Sequence, residues 1–360
     1  MYIIKHGIIF VNSKMKFAII NIILKSYLLA VMILKRILCV FMAVLILAIV
    51  LITQLGATDT SKNSYIKYVE FNVTKSALQS AIDIDIATYE EDNHVDCVTL
   101  LAYLGAKYGG DFSKYKYADM TEFADKIKNG ESVEELTKDM QYYSYYEEAY
   151  SAAIGTMVGK YEEVREDDSG NKVMEEKYGV QWFSPIAKTF PYSAYDDFGA
   201  QRTYGYTRPH LGHDMMAAVG TPVVAVESGV VECMGWNQYG GWRIGIRSKD
   251  TKRYWYYAHL RQNRPFAENL KEGDEVEAGD VIGYVGRTGY SSTENVNGIT
   301  ESHLHIGLEL VFDESQKESD NEIWIDIYAI TSILESHQSA VVRNSETKEF
   351  TREFAFNSLK

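Results

Sequence analysis

The chain has 360 residues, 46% of them hydrophobic, and a formal net charge of −14. An acidic balance of this size speaks against a nucleic-acid partner. The length allows two or three domains.

The charge is unevenly spread. Residues 1–54 hold six basic side chains (Lys5, Lys14, Lys16, Lys25, Lys35 and Arg36) and no acid. Ile37–Ile52 is an uncharged apolar run, extended by Thr53-Gln-Leu55, and it predicts a membrane span over 37–55. Lys35 and Arg36 just before it put residues 1–36 in the cytoplasm and the body outside, so a single-pass membrane protein is expected. Phe17–Leu34 is also apolar, but Lys25 interrupts it. Met15 and Met32 are alternative starts, and a cleaved signal peptide would need a small-residue site that does not follow the run.

Residues 56–64 read as a polar linker, and 65–160 as a small all-α module. One amphipathic helix starts near Thr74 and carries Ala77, Leu78, Ala81, Ile82 and Ile86. A second carries Val95, Val98, Leu101, Ala102 and Leu104 and ends at Gly109-Gly110. Met120–Ile127 is a third, closed by Gly130. Ser132-Val-Glu-Glu135 is a capping box for a fourth. Tyr142, Tyr143, Tyr145, Tyr146 and Tyr150 follow at spacings that suit core and rim packing. Glu90 and Glu91 lack a second carboxylate in a context that would suit glycoside hydrolysis. The module reads as a spacer or as a surface for an envelope protein partner.

Residues 161–178 are charged, with Asp167-Asp-Ser-Gly170 as their turn, and read as a connector or hairpin. From Gly179 the pattern becomes strand and turn. Strands are predicted at Val223–Val226, Gly229–Trp236, Trp242–Arg247, Arg253–His259 and Val281–Val285. Ile323–Ser336 is predicted as a closing helix, and 337–360 as a polar tail. The fold class is therefore α+β: a transmembrane helix, a helical module, and a mainly antiparallel β domain over 179–336. The cysteines outside the span, Cys97 and Cys233, fall in different predicted domains and give weak grounds for a bridge.

Chemistry concentrates between Arg208 and Leu310. Five of the eight histidines fall there, in Arg208-Pro-His-Leu-Gly-His-Asp214, Tyr257-Ala-His-Leu260 and Ser302-His-Leu-His-Ile306. In an extended run, His303 and His305 share one face, while Leu304, Ile306, Leu308 and Leu310 share the other. Pro209 and Gly212 exclude a helix around His210 and Asp214. A catalytic zinc takes three nitrogen or oxygen ligands and keeps an open position. His210, Asp214 and one of the two strand histidines can supply them. The other strand histidine and His259 remain for proton transfer or oxyanion stabilisation. His213 alternates away from His210 and Asp214 and reads as a bystander or a supporting group.

His-x-x-x-Asp, Ala-His-Leu and His-Leu-His, in this order and with the glycine-rich text Gly220-Thr-Pro-Val223, Gly240-Gly241 and Ala278-Gly-Asp-Val-Ile-Gly-Tyr-Val-Gly-Arg-Thr-Gly289 between them, resemble the LytM/lysostaphin-type zinc peptidases, the M23 family. The resemblance covers residues 180–312. It implies one zinc ion per chain on His210, Asp214 and His305, with His259 and His303 as catalytic histidines. It also implies a peptidoglycan peptide as substrate. Tyr204 and Tyr206 would be extra oxyanion donors, and Asn237, Gly240 and Gly241 would contact the peptide in its groove. The segment Tyr290–Ser302 is longer than the family's usual link and borders the site. A catalytically silent envelope scaffold is the rival; relatives of that kind lose a ligand, and here all five residues are present.

Overall fold

The computed structural model describes residues 65–166 and 170–359, together with the isolated positions 21, 24–28, 32 and 34, which are helical. The predicted span over 37–55 lies outside the described residues. Among the described residues, no helix is long and apolar enough to cross a membrane. Residues 65–360 form one compact unit and residues 1–64 another.

The larger unit begins with helices α1 (Lys75–Thr88), α2 (Cys97–Tyr108), α3 (Tyr117–Lys128), α4 (Val133–Thr137) and α5 (Tyr143–Ile154). Thr74 caps α1 by accepting from the Ala77 amide, and Asp96 caps α2 by accepting from Thr99. Gly109 ends α2 at φ 64°, the left-handed cap that glycine takes without strain. Ser132 accepts from the Glu135 amide, but α4 lasts only five residues and α5 starts afresh at Tyr143. Leu78, Leu100, Leu101 and Leu104 are fully buried, as the 3.6-residue period requires.

The strands are β1 (Val158–Glu166), β2 (Lys172–Val180), β3 (Tyr192–Ala194), β4 (Gln201–Arg202), β5 (Arg208–Pro209) and β6 (His213–Ala217). They continue as β7 (Pro222–Val224), β8 (Gly229–Asn237), β9 (Gly241–Ser248), β10 (Arg253–Ala258), β11 (Glu275–Val276) and β12 (Val281–Tyr284). Last come β13 (His303–Leu310), β14 (Ile323–Ile325), helix α6 (Tyr328–Leu334), β15 (Val341–Arg343), β16 (Phe350–Arg352) and β17 (Phe356–Ser358). The large sheet runs β11-β8-β9-β10-β13-β6-β3, with β14 paired to the far half of β13. Its pairings are antiparallel. Trp255 and Tyr257 of β10 face Leu308 and Ile306 of β13 across the ladder, and all four are fully buried.

The helices meet the sheet at Arg253, which has no exposed surface. Its Nε donates to Glu227 Oε2 at 2.9 Å, and its Nη2 to Asp250 Oδ2 at 2.6 Å and to Glu227 Oε1 at 3.1 Å. Its Nη1 donates to the Ala152 carbonyl at 2.6 Å, in the last turn of α5, where carbonyls lack helical partners.

Two segments differ from the sequence expectation. Ile323–Ser336 is not one helix: Ile323 and Ile325 are buried on β14, and α6 starts only after Asp326, whose Oδ1 accepts from the Tyr328 amide at 2.9 Å. The predicted polar tail, 337–360, is folded over its described residues, 337–359. β15 and β16 form a hairpin, and β17 extends the β1–β2 hairpin. Phe356 is buried and stacks on Tyr161 with centroids 5.1 Å apart. The alternation Phe350, Phe354, Phe356 carries that signal, diluted by the charges between. Cys97 and Cys233 are free thiols.

Candidate active site

Strand register builds the site. His305 on β13 stands directly opposite Asp214 on β6, and His303 stands opposite Met216. Directly opposed residues of an antiparallel pair share a face, so His303, His305 and Asp214 look the same way. Leu304 lies on the other face, fully buried. His210 comes from the link between β5 and β6. Its Nε2 lies 2.6 Å from His305 Nδ1 and 3.1 Å from Asp214 Oδ1. His305 Nδ1 is 3.4 Å, and His303 Nε2 3.6 Å, from the same oxygen.

His259 follows β10 at φ 60°, a conformation that non-glycine residues adopt at a cost and that clusters at functional sites. Its amide donates to the Gly240 carbonyl at 2.7 Å, and its Nδ1 to the Thr288 carbonyl at 2.9 Å. His303 Nδ1 likewise donates to the Glu301 carbonyl at 2.9 Å. Both rings are thereby oriented by Nδ1, with Nε2 left outside these bonds. The rings of His259 and His303 lie 4.7 Å apart.

His210, Asp214 and His305 each offer an atom within 4.8 Å of the other two. Asp214 Oδ1 is buried and makes no hydrogen bond among the described residues, although three imidazole nitrogens converge on it. A buried carboxylate oxygen without a donor is costly unless a cation is its partner. Two imidazoles and a carboxylate are the donor set of a catalytic zinc, so these residues fit that ion. Burial pushes the Asp214 carboxyl up, but the close His210 and His305 imidazoles outweigh it and hold the group well below the usual carboxylate range. Burial, and then repulsion from His303 and His305, push His259 well below its ordinary value, which keeps it neutral. Burial also lowers His305, against the pull of Asp214.

A second layer that sequence reasoning missed surrounds the ligands. Arg202 Nη2 donates to Asp197 Oδ2 at 2.5 Å and to Asp214 Oδ2 at 2.9 Å. Asp197 Oδ1 accepts from the Asp214 amide at 3.2 Å, and the Asp197 carbonyl accepts from His210 Nδ1 at 3.2 Å. Neither residue belongs to a spacing motif; Asp197 lies in the loop from β3 to β4, and Arg202 on β4 itself.

The site opens into a cleft of about 520 Å³. Asn237 and Gly240 line it, as does Tyr290 of the segment expected to border the site; Tyr239, Tyr256 and Trp324, which sequence reasoning missed, line it too. Asn237 Oδ1 accepts from the amides of Tyr239 and Gly240 and shapes the turn, and its Nδ2 donates to the Tyr256 hydroxyl at 3.2 Å. A Cβ on Gly240 would stand 2.3 Å from that hydroxyl. Gly241 is not on the cleft wall: at φ 65° it lies where the Thr288–Gly289 backbone crosses, 2.3 Å from where a Cβ would sit. Tyr204 and Tyr206 stand behind the wall. Tyr204 stacks on Tyr290 at 4.7 Å, and Tyr206 meets Tyr239 edge-on at 5.9 Å. His213 points into the core, with Nε2 2.9 Å from the Thr331 hydroxyl, and burial lowers its pKa to about 4.

Residues 208–318 match the model of peptidase family M23. The chain is 43% identical over 124 residues to the L-Ala–D-Glu endopeptidase of Bacillus subtilis, a stretch that is 34% of this chain and 36% of that protein. It is 35% identical over 130 residues to lysostaphin of Staphylococcus staphylolyticus, covering 36% of this chain and 23% of the relative. The chain thus spans about a third or less of these relatives' length. A LytM structure from Ruminococcus gnavus matches 76% of this chain and 92% of its own, at 22% identity and a TM-score of 0.49.

Proposed function

We propose, on the premise that residues 208–318 are an M23 peptidase domain, that the chain is a zinc-dependent endopeptidase acting on peptide bonds of bacterial peptidoglycan stems or cross-links. The observation that carries this reading is the buried, unbonded Asp214 Oδ1 at the meeting point of three imidazoles. The 43% identity over 124 residues favours the bond between L-Ala and D-Glu for which the Bacillus relative is named.

His210, Asp214 and His305 would hold the ion. When bound, zinc supplies Lewis acidity to the scissile carbonyl and to the attacking water. This chain's own part is proton handling and charge stabilisation. His303 and His259 each have Nδ1–H fixed on a carbonyl, which leaves Nε2 of each ring for the proton that moves. Either can take a proton from the attacking water; once protonated, it becomes an N–H donor to the developing oxyanion or returns the proton to the leaving amine. The Tyr256 ring lies 5.8 Å from that of His305, and burial raises its pKa, so its hydroxyl stays protonated and able to donate.

The run Ile37–Ile52 behind Lys35-Arg36 supports a membrane anchor with the body on the wall side. The test of activity is digestion of purified peptidoglycan by the purified chain, with products identified by mass spectrometry. Cleavage that stops on chelation and returns with zinc is expected, and His303→Ala should lower it by about a hundredfold while zinc stays bound. No cleavage by the zinc-loaded chain would overturn the reading.

A further inference from the structure

The cleft holds two arginines in opposite circumstances. Arg202 is paired with Asp197 and Asp214. Arg208, two residues before His210, forms no ion pair among the described residues. It is nevertheless fixed in place. Its Nη1 donates to the Tyr204 carbonyl at 2.7 Å. Its guanidinium carbon lies 4.5 Å from the ring centre of Tyr239, 5.7 Å from Tyr206 and 5.9 Å from Tyr290. Arg208, Tyr239 and Tyr290 line the same cleft as the ligand set, and Tyr290 reaches within 6.0 Å of the His259 ring. Glu322, a carboxylate of that cleft outside the ligand set, accepts from Trp324 Nε1 at 2.7 Å instead.

An arginine seated against aromatic rings, with one donor spent on a backbone carbonyl, keeps the rest of its fork for a planar, two-oxygen acceptor. Such an acceptor is matched best by a carboxylate. The aromatic seat also removes much of the side-chain freedom that binding would otherwise cost. We propose that Arg208 is a specificity-determining residue that receives a free carboxylate carried by the substrate peptide next to the scissile amide. This assignment rests on the endopeptidase reading above and narrows it. A stem peptide in which glutamate is linked through its side chain, leaving its α-carboxylate free, has the required group; an all-glycine bridge does not.

Two synthetic peptides test this. Both contain L-Ala joined to a γ-linked D-Glu, with the α-carboxylate free in one and converted to the carboxamide in the other. Binding is measured by calorimetry on the zinc-loaded full chain carrying His303→Ala, which slows turnover. The carboxylate peptide should bind about tenfold tighter or more, as expected for a charge-assisted pair. Arg208→Gln should abolish that preference, and Arg208→Lys should keep part of it, with melting temperatures recorded to show that both variants are folded. Equal binding of the two peptides, or a preference that survives in Arg208→Gln, overturns the assignment. Cleavage by the parent chain is scored separately. If neither peptide is cut while the Arg208-dependent preference persists, the carboxylate site stands and cleavage between L-Ala and D-Glu fails; if purified peptidoglycan is not cut either, the endopeptidase reading fails with it.

Discussion

Arg253 and Asp214 are charged residues on strands of the same sheet, and their surroundings differ in one respect. Around Arg253 every donor is used, by Glu227, Asp250, Thr156 and the Ala152 carbonyl. Around Asp214 the groups converge but do not complete one another: Oδ1 has no hydrogen bond, though nitrogens of His210, His303 and His305 stand within 3.6 Å. A finished network is a structural joint, here between α5 and the sheet. An unfinished one, held rigid by strand register and by Arg202 and Asp197, is a place where a cation and a reaction belong.

The comparison breaks if the two clusters respond alike to truncation. Replacing His210, Asp214 or His305 by Ala should abolish stoichiometric zinc while lowering the metal-free melting temperature less than Arg253→Ala does, with Asp214→Ala the largest of the three because it also breaks the pair with Arg202. Arg253→Ala should do the reverse. It strands Glu227 in the interior without its partner and should cost about 3–5 kcal/mol of stability, while the molecules that remain folded bind zinc normally. Metal content and chemical denaturation on the same preparations decide it. Zinc loss in Arg253→Ala with unchanged stability would reverse the two roles.

The asymmetry also explains what the sequence could disclose. His303 and His305 were legible because a strand's two-residue period puts them on one face by necessity, and Leu304 on the other. His210 and Asp214 were legible as an extended run by the exclusion that Pro209 imposes. Arg202 and Asp197 were not, since a loop and the two-residue strand β4 bring them to the ligands at no fixed spacing. Arg253 and Glu227 are 26 positions apart and look like ordinary surface charges until the fold buries them. Phe356 on β17 was hidden for a related reason: a three-residue strand has too short a period to read, and it exists only because β1 offers an edge.

Arg202 sharpens the comparison at intermediate strength. It touches Asp214 Oδ2 and Asp197, and it lies 2.9 Å from His210 Nδ1. Through them it sets the orientation of two ligands without reaching the metal position in their place. Arg202→Gln should weaken zinc affinity by about 10–100-fold, with full occupancy recovered at high zinc and little change in metal-free stability. Competition with a chromophoric chelator measures this. An unchanged affinity would reduce Arg202 to a surface ion pair.

The smallest effect concerns Glu309, on the same strand face as His303 and His305 but beyond the cleft. It is another incomplete charge, with Oε1 buried and without a hydrogen bond among the described residues. Burial, and then the nearby Glu322, push its carboxyl up from the ordinary glutamate range to about 7; Glu314 and Glu318 add to this, and Arg247 opposes it. Among the described residues no metal ligand set surrounds it, so this incompleteness should register as stability alone. A carboxyl whose pKa is higher in the folded than in the unfolded chain favours folding while protonated. Its contribution is intact below the ordinary glutamate pKa and is lost as pH rises through about 7. Glu309→Gln is neutral at every pH and should match the parent near pH 4. Above pH 7 it should melt a few degrees higher than the parent, with zinc affinity unchanged at both. Melting curves of the parent and Glu309→Gln across that range provide the check. Parallel curves would mean that the Glu309 charge is already compensated in the folded chain, and that an unbonded buried oxygen in this sheet does not by itself distinguish a site from a joint.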